Sequence, residues 1–419
     1  MYQKTTLENG LRLVTSAMPH TQSVCISIFV GVGSRYETAA KAGISHFIEH
    51  LCFKGTPRRP TARDISLAIE GVGGILNGGT DKELTVYWCK VACTHFQRAL
   101  DVMVDMVRYP RLDPKDIQSE RQVIIEEINM TKDVPAQEVN LLIDEVLWAK
   151  HPLGRDIAGS KASVTAMSRE MMLDHLHRYY SPGNIVIAIA GNISHQDIAA
   201  AVRQVTADWA SHPPPGYTAY TERPAPRVRL ETRDSEQAHL CLALPGLPLL
   251  HPDRFTLDLI NVILGEGMSS RLFTEIRDKL GLAYSIHSDT EHFHDTGSLT
   301  IYAGMEPGNL TLAIRAILKQ LARLKEPVPE DEMASARELT KGRLLLRLED
   351  SRSMAGWVGG QEVLTGQILT PDEVIATVDT ITTADAERVA NELLVADRLR
   401  LAVVGPITHP ESLAGLLVL

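Results

Sequence analysis

A chain of 419 residues is too long for one ordinary hydrophobic core, so two or more domains are expected. A hydrophobic content of 44% and a charged content of 22% exclude a disordered or fibrous chain. The net charge of −10 argues against nucleic acid as the main partner, and no run reaches the ~18 apolar residues of a membrane span. Five cysteines, Cys25, Cys52, Cys89, Cys93 and Cys241, are too few for a disulfide framework in so long a chain and read as buried thiols. The N-terminus runs straight into a strand-like segment with no apolar leader region, so a cytoplasmic protein is expected.

Residues 9–30 read as a hairpin, LRLVTSAM then SVCISIFV, around a polar turn. The second run is apolar throughout, as in a central strand covered on both sides. Residues 43–56, GISHFIEHLCFKGT, follow as a short helix, with Gly43 at its entry and Gly55 and Pro57 beyond its end. TARDISLAIEGVGG reads as a second helix with Thr61 as N-cap and Gly71 as its stop. ILNGGTDKELTVYWCKV contains a strand pair joined around residues 78–82. FQRALDVMVDMV is an amphipathic helix, and LDPKDIQSERQVIIEEINM opens another with Asp113 as N-cap and Pro114 in its first turn. Its Glu120 and Glu127 are seven apart and share a face, while Glu126 is rotated away.

The chemistry concentrates in HFIEH. On a helix, His46, Glu49 and His50 lie on one face. Two imidazoles from one helix supply half of a tetrahedral zinc site, and a catalytic site adds a third protein ligand and leaves the fourth position to water. Glu49 then serves as general base, and H-x-x-E-H is the inverted form of the zinc-protease helix motif. The third ligand is to be sought among the glutamates of the later helix.

A proline-rich stretch, SHPPPGYTAYTERPAPR, separates two similar halves. LTVYWCKV at 84–91 matches LTIYAGME at 299–306, and several other segments match at an offset of 214–215 residues. The expected domains are a zinc-binding half over 1–212, a linker over 213–227 and a non-metal half over 228–419. The fold class expected is α+β, with two duplicated domains, each a mainly antiparallel sheet packed with helices on one side. At an offset of 215, His46 maps to Asn261, Glu49 to Leu264, His50 to Gly265 and Glu127 to Gly342. The design is repeated and the metal-type residues are not, as expected if they serve chemistry rather than packing.

Together, HFIEHLCFKGT, GGILNGGTDKELTVYW, ERQVIIEE and, in the second half, GMSSRLFTEIRDKLGLAYS closely resemble the pitrilysin family of inverted zinc metallopeptidases. The resemblance spans nearly the whole chain, and its length matches the short, processing-peptidase-like members. It implies zinc bound by His46, His50 and Glu127, with Glu49 as general base and Glu120 as an acidic partner of a ligating histidine. It implies that Arg277 and Tyr284 contact substrate and that Tyr284 steadies the developing oxyanion. Asn77 matches a residue on a strand edge where an extended peptide adds as a further strand. Gly78 and Gly79 depart from the family pattern, which commonly has alanine and an aromatic residue there, so either a more flexible edge or a larger adjacent subsite is expected.

The function expected is a zinc-dependent endopeptidase acting on peptides or unfolded segments inside a dimeric chamber. A homodimer is favoured, because one chain carries both the zinc motif and the Arg277/Tyr284 element. The alternatives are the zinc-bearing subunit of a heterodimer and a non-catalytic assembly subunit of the same fold. No nucleic acid or membrane partner is expected.

Overall fold

The computed structural model describes residues 2–407 and 413–419. It forms two compact units. The first comprises residues 1–128, 156–218 and 345–370; the second comprises 129–155, 219–344 and 371–419.

The first unit is built on a six-stranded sheet. Its strands are β1 (Tyr2–Thr6), β2 (Arg12–Ala17), β3 (Ser23–Val30), β4 (Ile75–Thr80), β5 (Thr85–Ala92) and β6 (Ile185–Gly191), in the order β1-β2-β6-β3-β5-β4. Residues 9–30 therefore do not form the hairpin expected from the sequence. The strand β6, IVIAIAG, is buried at every position and enters between β2 and β3. It runs parallel to β2, with Leu13 opposite Ile187, and antiparallel to β3, with Ile28 opposite Ile187. Two apolar strands adjacent in sequence are parted because a third, wholly apolar strand satisfies both ladders at once. The other expected pair, β4 with β5, does form.

The helices of this unit that bear on the site are α1 (Ile44–Cys52) and α2 (Ala62–Glu70), between β3 and β4, and α3 (Phe96–Arg108) and α4 (Pro114–Asp133), after β5. Thr61 caps α2 through a capping box with Asp64. One sheet face, carrying Ile26, Ile28, Tyr87, Ile187 and Ile189, joins the core with Phe47, Ile48 and Leu51 of α1 and Val102, Met103 and Met106 of α3. The opposite face is not open either: the helix Ser351–Thr365 packs on β3, β6 and β2. Its Gly359 lies so close that a Cβ there would stand 2.3 Å from Phe29 Cε2 and 2.6 Å from the Ala188 Cβ. Helices thus cover the central strands on both faces, where one side was expected.

The second unit repeats the design. Its strands are β7 (Val228–Thr232), β8 (Ala238–Pro245), β9 (Ser285–His292), β10 (Gly297–Met305) and β11 (Arg400–Gly405), in the order β7-β11-β8-β10-β9. This is the order β2-β6-β3-β5-β4 again, with the single parallel pair in the same place, β7 beside β11. Its covering helix is α5 (Pro135–Leu147), whose Val139, Leu142 and Ile143 pack with Cys241, Ala243, Ala402 and Val404. So α5, which precedes the proline-rich stretch in sequence, belongs to the second unit, and Ser351–Thr365, which follows it, belongs to the first.

Cys25, Cys52, Cys89 and Cys241 are buried free thiols, whereas Cys93 is half-buried because the chain leaves the sheet just before it. Among the described residues, no helix is long and apolar enough to cross a membrane.

Candidate metal centre

The apolar stripe Ile44, Phe47, Ile48 and Leu51 anchors α1 in the core. This turns His46, Glu49 and His50 to the other face. The helix begins at Gly43 in the left-handed region, φ 91°. Its first amides are met by a side chain that motif reading passes over. The buried Glu37 accepts hydrogen bonds from Gly43 N at 2.7 Å and Ser45 N at 2.8 Å. A carboxylate there also suits the positive end of the helix dipole. On α4, buried Ile117, Ile124 and Ile128 fix the inward face. Glu120 and Glu127 project toward α1, while Glu126 is exposed.

The side chains converge. His46 Nε2 and His50 Nε2 are 3.2 Å apart, and Glu127 Oε2 lies 3.7 Å from each. A tetrahedral zinc ion with ligands at roughly 2.0–2.1 Å separates its ligand atoms by about 3.4 Å. Two nitrogens and one carboxylate oxygen, spaced this way, are a donor set that fits zinc. Glu49 belongs to the same cluster, in which the ligand atoms of His46, Glu49 and His50 lie within 4.8 Å of one another. Two carboxylates therefore compete for the third position. Glu127 makes the close approach to both imidazoles. Glu49 is buried, and a Cβ at Gly78 would meet its Oε1 at 2.7 Å, so Glu49 rests against β4.

Electrostatics separate the roles further. Burial, then the neighbouring His50, holds His46 down to about 4, so its imidazole is neutral, the form that binds a metal. Burial pushes Glu49 up to about 7, near where a general base works best at neutral pH. His50 Nδ1 donates to Glu120 Oε2 at 3.1 Å, which leaves its Nε2 lone pair facing His46. Lys54 Nζ donates to the other Glu120 oxygen at 2.5 Å. His46 Nδ1 is buried with no hydrogen-bond partner among the described residues.

The other expected residues fall in two places. Asn77 is exposed on β4, the edge strand of the first sheet, and its Oδ1 accepts from Gly78 N at 2.7 Å. Gly78 and Gly79 lie within β4 rather than in the turn after it. Arg277 and Tyr284 belong to the second unit and lie near each other, the Arg277 guanidinium 5.3 Å from the Tyr284 ring centre. Tyr284 is 78% exposed. His175 is buried beneath α1 against Ser45.

Two family models match this chain. One, described as insulinase (peptidase family M16), covers residues 12–161; the other, described as the peptidase M16 inactive domain, covers 166–340. A Streptomyces coelicolor protein named as an uncharacterized zinc protease is 37% identical over 98% of this chain and 91% of its own length. The chain belongs to the insulinase family of peptidases, M16. A Bacillus subtilis member, also named as an uncharacterized zinc protease, is 35% identical over 98% of this chain and 100% of its own length. The crystal structure of a protease from Helicobacter pylori shares the fold, with a TM-score of 0.90 at 21% identity over 97% of this chain and 99% of that one. The M16 model described as inactive covers Asn261, Leu264 and Gly265, which stand where the first half has His46, Glu49 and His50.

Proposed function

We propose that this M16 chain is a zinc-dependent endopeptidase that cleaves peptides or unfolded segments. The observation that carries the reading is the approach of Glu127 Oε2 to within 3.7 Å of both histidine Nε2 atoms, with Glu49 beside them. His46, His50 and Glu127 would hold one zinc ion per chain. Zinc bound there supplies Lewis acidity toward water and the scissile carbonyl. Glu49 accepts a proton from the attacking water and later delivers it to the departing amine. Glu120 keeps the His50 ring in one tautomer and one orientation. The free edge of β4 supplies main-chain partners for an extended substrate, beginning at Asn77.

The same reading includes a homodimer in which Arg277 and Tyr284 of the partner subunit complete each site. The tyrosine hydroxyl donates to the developing oxyanion, and the guanidinium binds peptide carbonyls.

The test is metal content and turnover measured together on a mixed peptide pool read by mass spectrometry. Glu49→Gln should keep its zinc and lose about 10²–10⁴-fold in turnover. Glu127→Ala should lose the zinc, and Glu126→Ala should keep it. Wild-type turnover in Glu49→Gln would overturn the role of Glu49. Zinc loss in Glu126→Ala but not in Glu127→Ala would overturn the ligand set.

A further inference from the structure

The strand β4 has two faces. Gly78 faces Glu49. Gly79 faces the other way, where a Cβ would meet nothing within 4 Å. On that second face, Phe29 of β3 stands opposite Val86 of β5, and Val86 opposite Gly79, in one row across three strands. The helix Ser351–Thr365 covers β3, β6 and β2. Beyond it, over β5 and β4, a cavity of about 420 Å³ remains. That is within the roughly 300–1,000 Å³ of small-ligand pockets.

The cavity has an apolar floor and a cationic rim. Phe29, Val86 and Trp88 form the floor, and Arg347 and Arg352 stand at the rim. The Arg352 guanidinium lies 3.8 Å from the Trp88 ring centre. Both arginines are exposed, and among the described residues neither forms an ion pair. The one carboxylate in the lining, Asp350, is already engaged: it pairs with Lys90 and accepts from the Arg352 and Ser353 amides at the start of the helix. The cavity therefore offers two guanidinium groups with no carboxylate partner among the described residues, one of them stacked on Trp88, above a hydrophobic base.

We propose that this cavity is a specificity pocket for a glutamate side chain of the substrate. The inference rests on the peptidase reading, in which the substrate adds to the edge of β4. A strand added there continues the row Phe29–Val86–Gly79, because cross-strand neighbours share a face. The side chain opposite Gly79 enters the cavity. A glutamate lays its two methylenes on Phe29, Val86 and Trp88 and brings its carboxylate to Arg347 and Arg352, where paired charge-assisted hydrogen bonds form. An aromatic residue at 79 would fill this space. Glycine keeps it open.

The experiment uses the full-length zinc-loaded protein and fluorescein-labelled peptides. Every peptide ends in a C-terminal amide, so a terminal carboxylate cannot supply the anion. Glu, Gln or Lys is placed at each position in turn. Binding is read by anisotropy on Glu49→Gln protein, and cleavage by mass spectrometry on wild type. At one position, Glu should bind and be cut about tenfold better than Gln, the scale of a charge-assisted hydrogen bond, with Lys poorer still. In an Arg347→Gln/Arg352→Gln double variant the Glu-to-Gln ratio should fall to about one. The Arg347→Lys/Arg352→Lys variant should retain a preference for Glu, and Gly79→Phe should lose it by filling the cavity. If no position prefers Glu, or the double glutamine variant keeps the preference, the pocket assignment is overturned. Cleavage without discrimination sinks the pocket and leaves the peptidase reading standing. Selective binding of Glu peptides with no cleavage does the reverse, and neither binding nor cleavage sinks both.

Discussion

His50 donates from Nδ1 to Glu120 Oε2 at 3.1 Å, while Lys54 takes the other oxygen of the same carboxylate. Glu120 is 5% exposed and would be costly to bury without these two partners. The bond settles which His50 nitrogen carries the proton, and so which one is free for a metal. Replacing Glu120 by alanine removes that orientation and leaves Lys54 without its partner. Zinc affinity should fall about 10–100-fold, the usual cost of removing such a partner. Competition with a chromophoric chelator measures it. Unchanged affinity would show that the His50 ring is held by packing alone.

The second prediction concerns the start of α1. Glu37 accepts from the amides of Gly43 and Ser45 and is itself buried. Glu37→Ala strands two amide donors at the helix that carries both histidines. The expected cost is about 1–3 kcal/mol of stability. Urea unfolding of the metal-free protein checks it. Zinc affinity should fall in the same variant, since the helix start also sets the positions of His46 and His50. A stability within error of wild type would mean that water serves these amides equally well.

How much of this was legible in the sequence depends on distance along the chain. The motif HFIEH, the cap at Thr61 and the shared face of Glu120 and Glu127 are local, and a 3.6-residue period is enough to read them. Their approach across 3.7 Å could be inferred only from resemblance, because it depends on how α4 crosses α1. The place of β6 between β2 and β3 was not legible. An apolar run looks the same whether it pairs with its neighbour in sequence or with a strand more than 150 residues away. The exchange of covering helices was hidden for the same reason: α5 and Ser351–Thr365 carry apolar faces that do not say which sheet they cover. Glu37 was missed because no spacing marks a cap six residues before the amide it serves. The resemblance flagged Gly79 as unusual, but the cationic rim beyond it comes from the end of one helix and the start of the next, about 270 residues later.

The third prediction is an acid limit set by His175. Its ring is 4% exposed, lies 4.7 Å from the Tyr179 ring and contacts Ser45 Oγ at 3.4 Å. Burial, and after it the positive charge of Lys41, lowers it from the ordinary 6.5 to about 3. In the unfolded chain this histidine takes up a proton near pH 6.5, while in the folded chain it stays neutral to about pH 3. The unfolded state therefore binds more protons across that window, and stability rises with pH through it. The contribution is complete above about 6.5 and is lost as the pH falls toward 3, at up to about 1.4 kcal/mol per pH unit. His175→Phe should flatten the acid side of the curve by about one proton. Urea midpoints from pH 4 to 8, taken with chelator present so that zinc release does not contribute, give the slopes. Parallel slopes for variant and wild type would remove His175 as the cause.

The last prediction addresses the shared site. His46, Glu49, His50 and Glu127 belong to the first unit, and Arg277 and Tyr284 belong to the second. On the homodimer reading, the Arg277/Tyr284 element of one chain serves the metal centre of the other. Glu49→Gln homodimers should then be inactive, and Tyr284→Phe homodimers severely impaired. When the two variants are mixed and reassembled, each hybrid dimer contains one site with both defects and one site with neither. Activity should therefore return, approaching one quarter of wild type when exchange is random, because half of the dimers are hybrids and each has one intact site. Subunit exchange is followed independently with differently tagged chains. Restored activity is a result that a site completed within one chain cannot give, since every such site would carry one of the two defects. If the tags show full exchange and no activity returns, the shared-site reading fails while the zinc assignment, tested separately by metal content, is untouched.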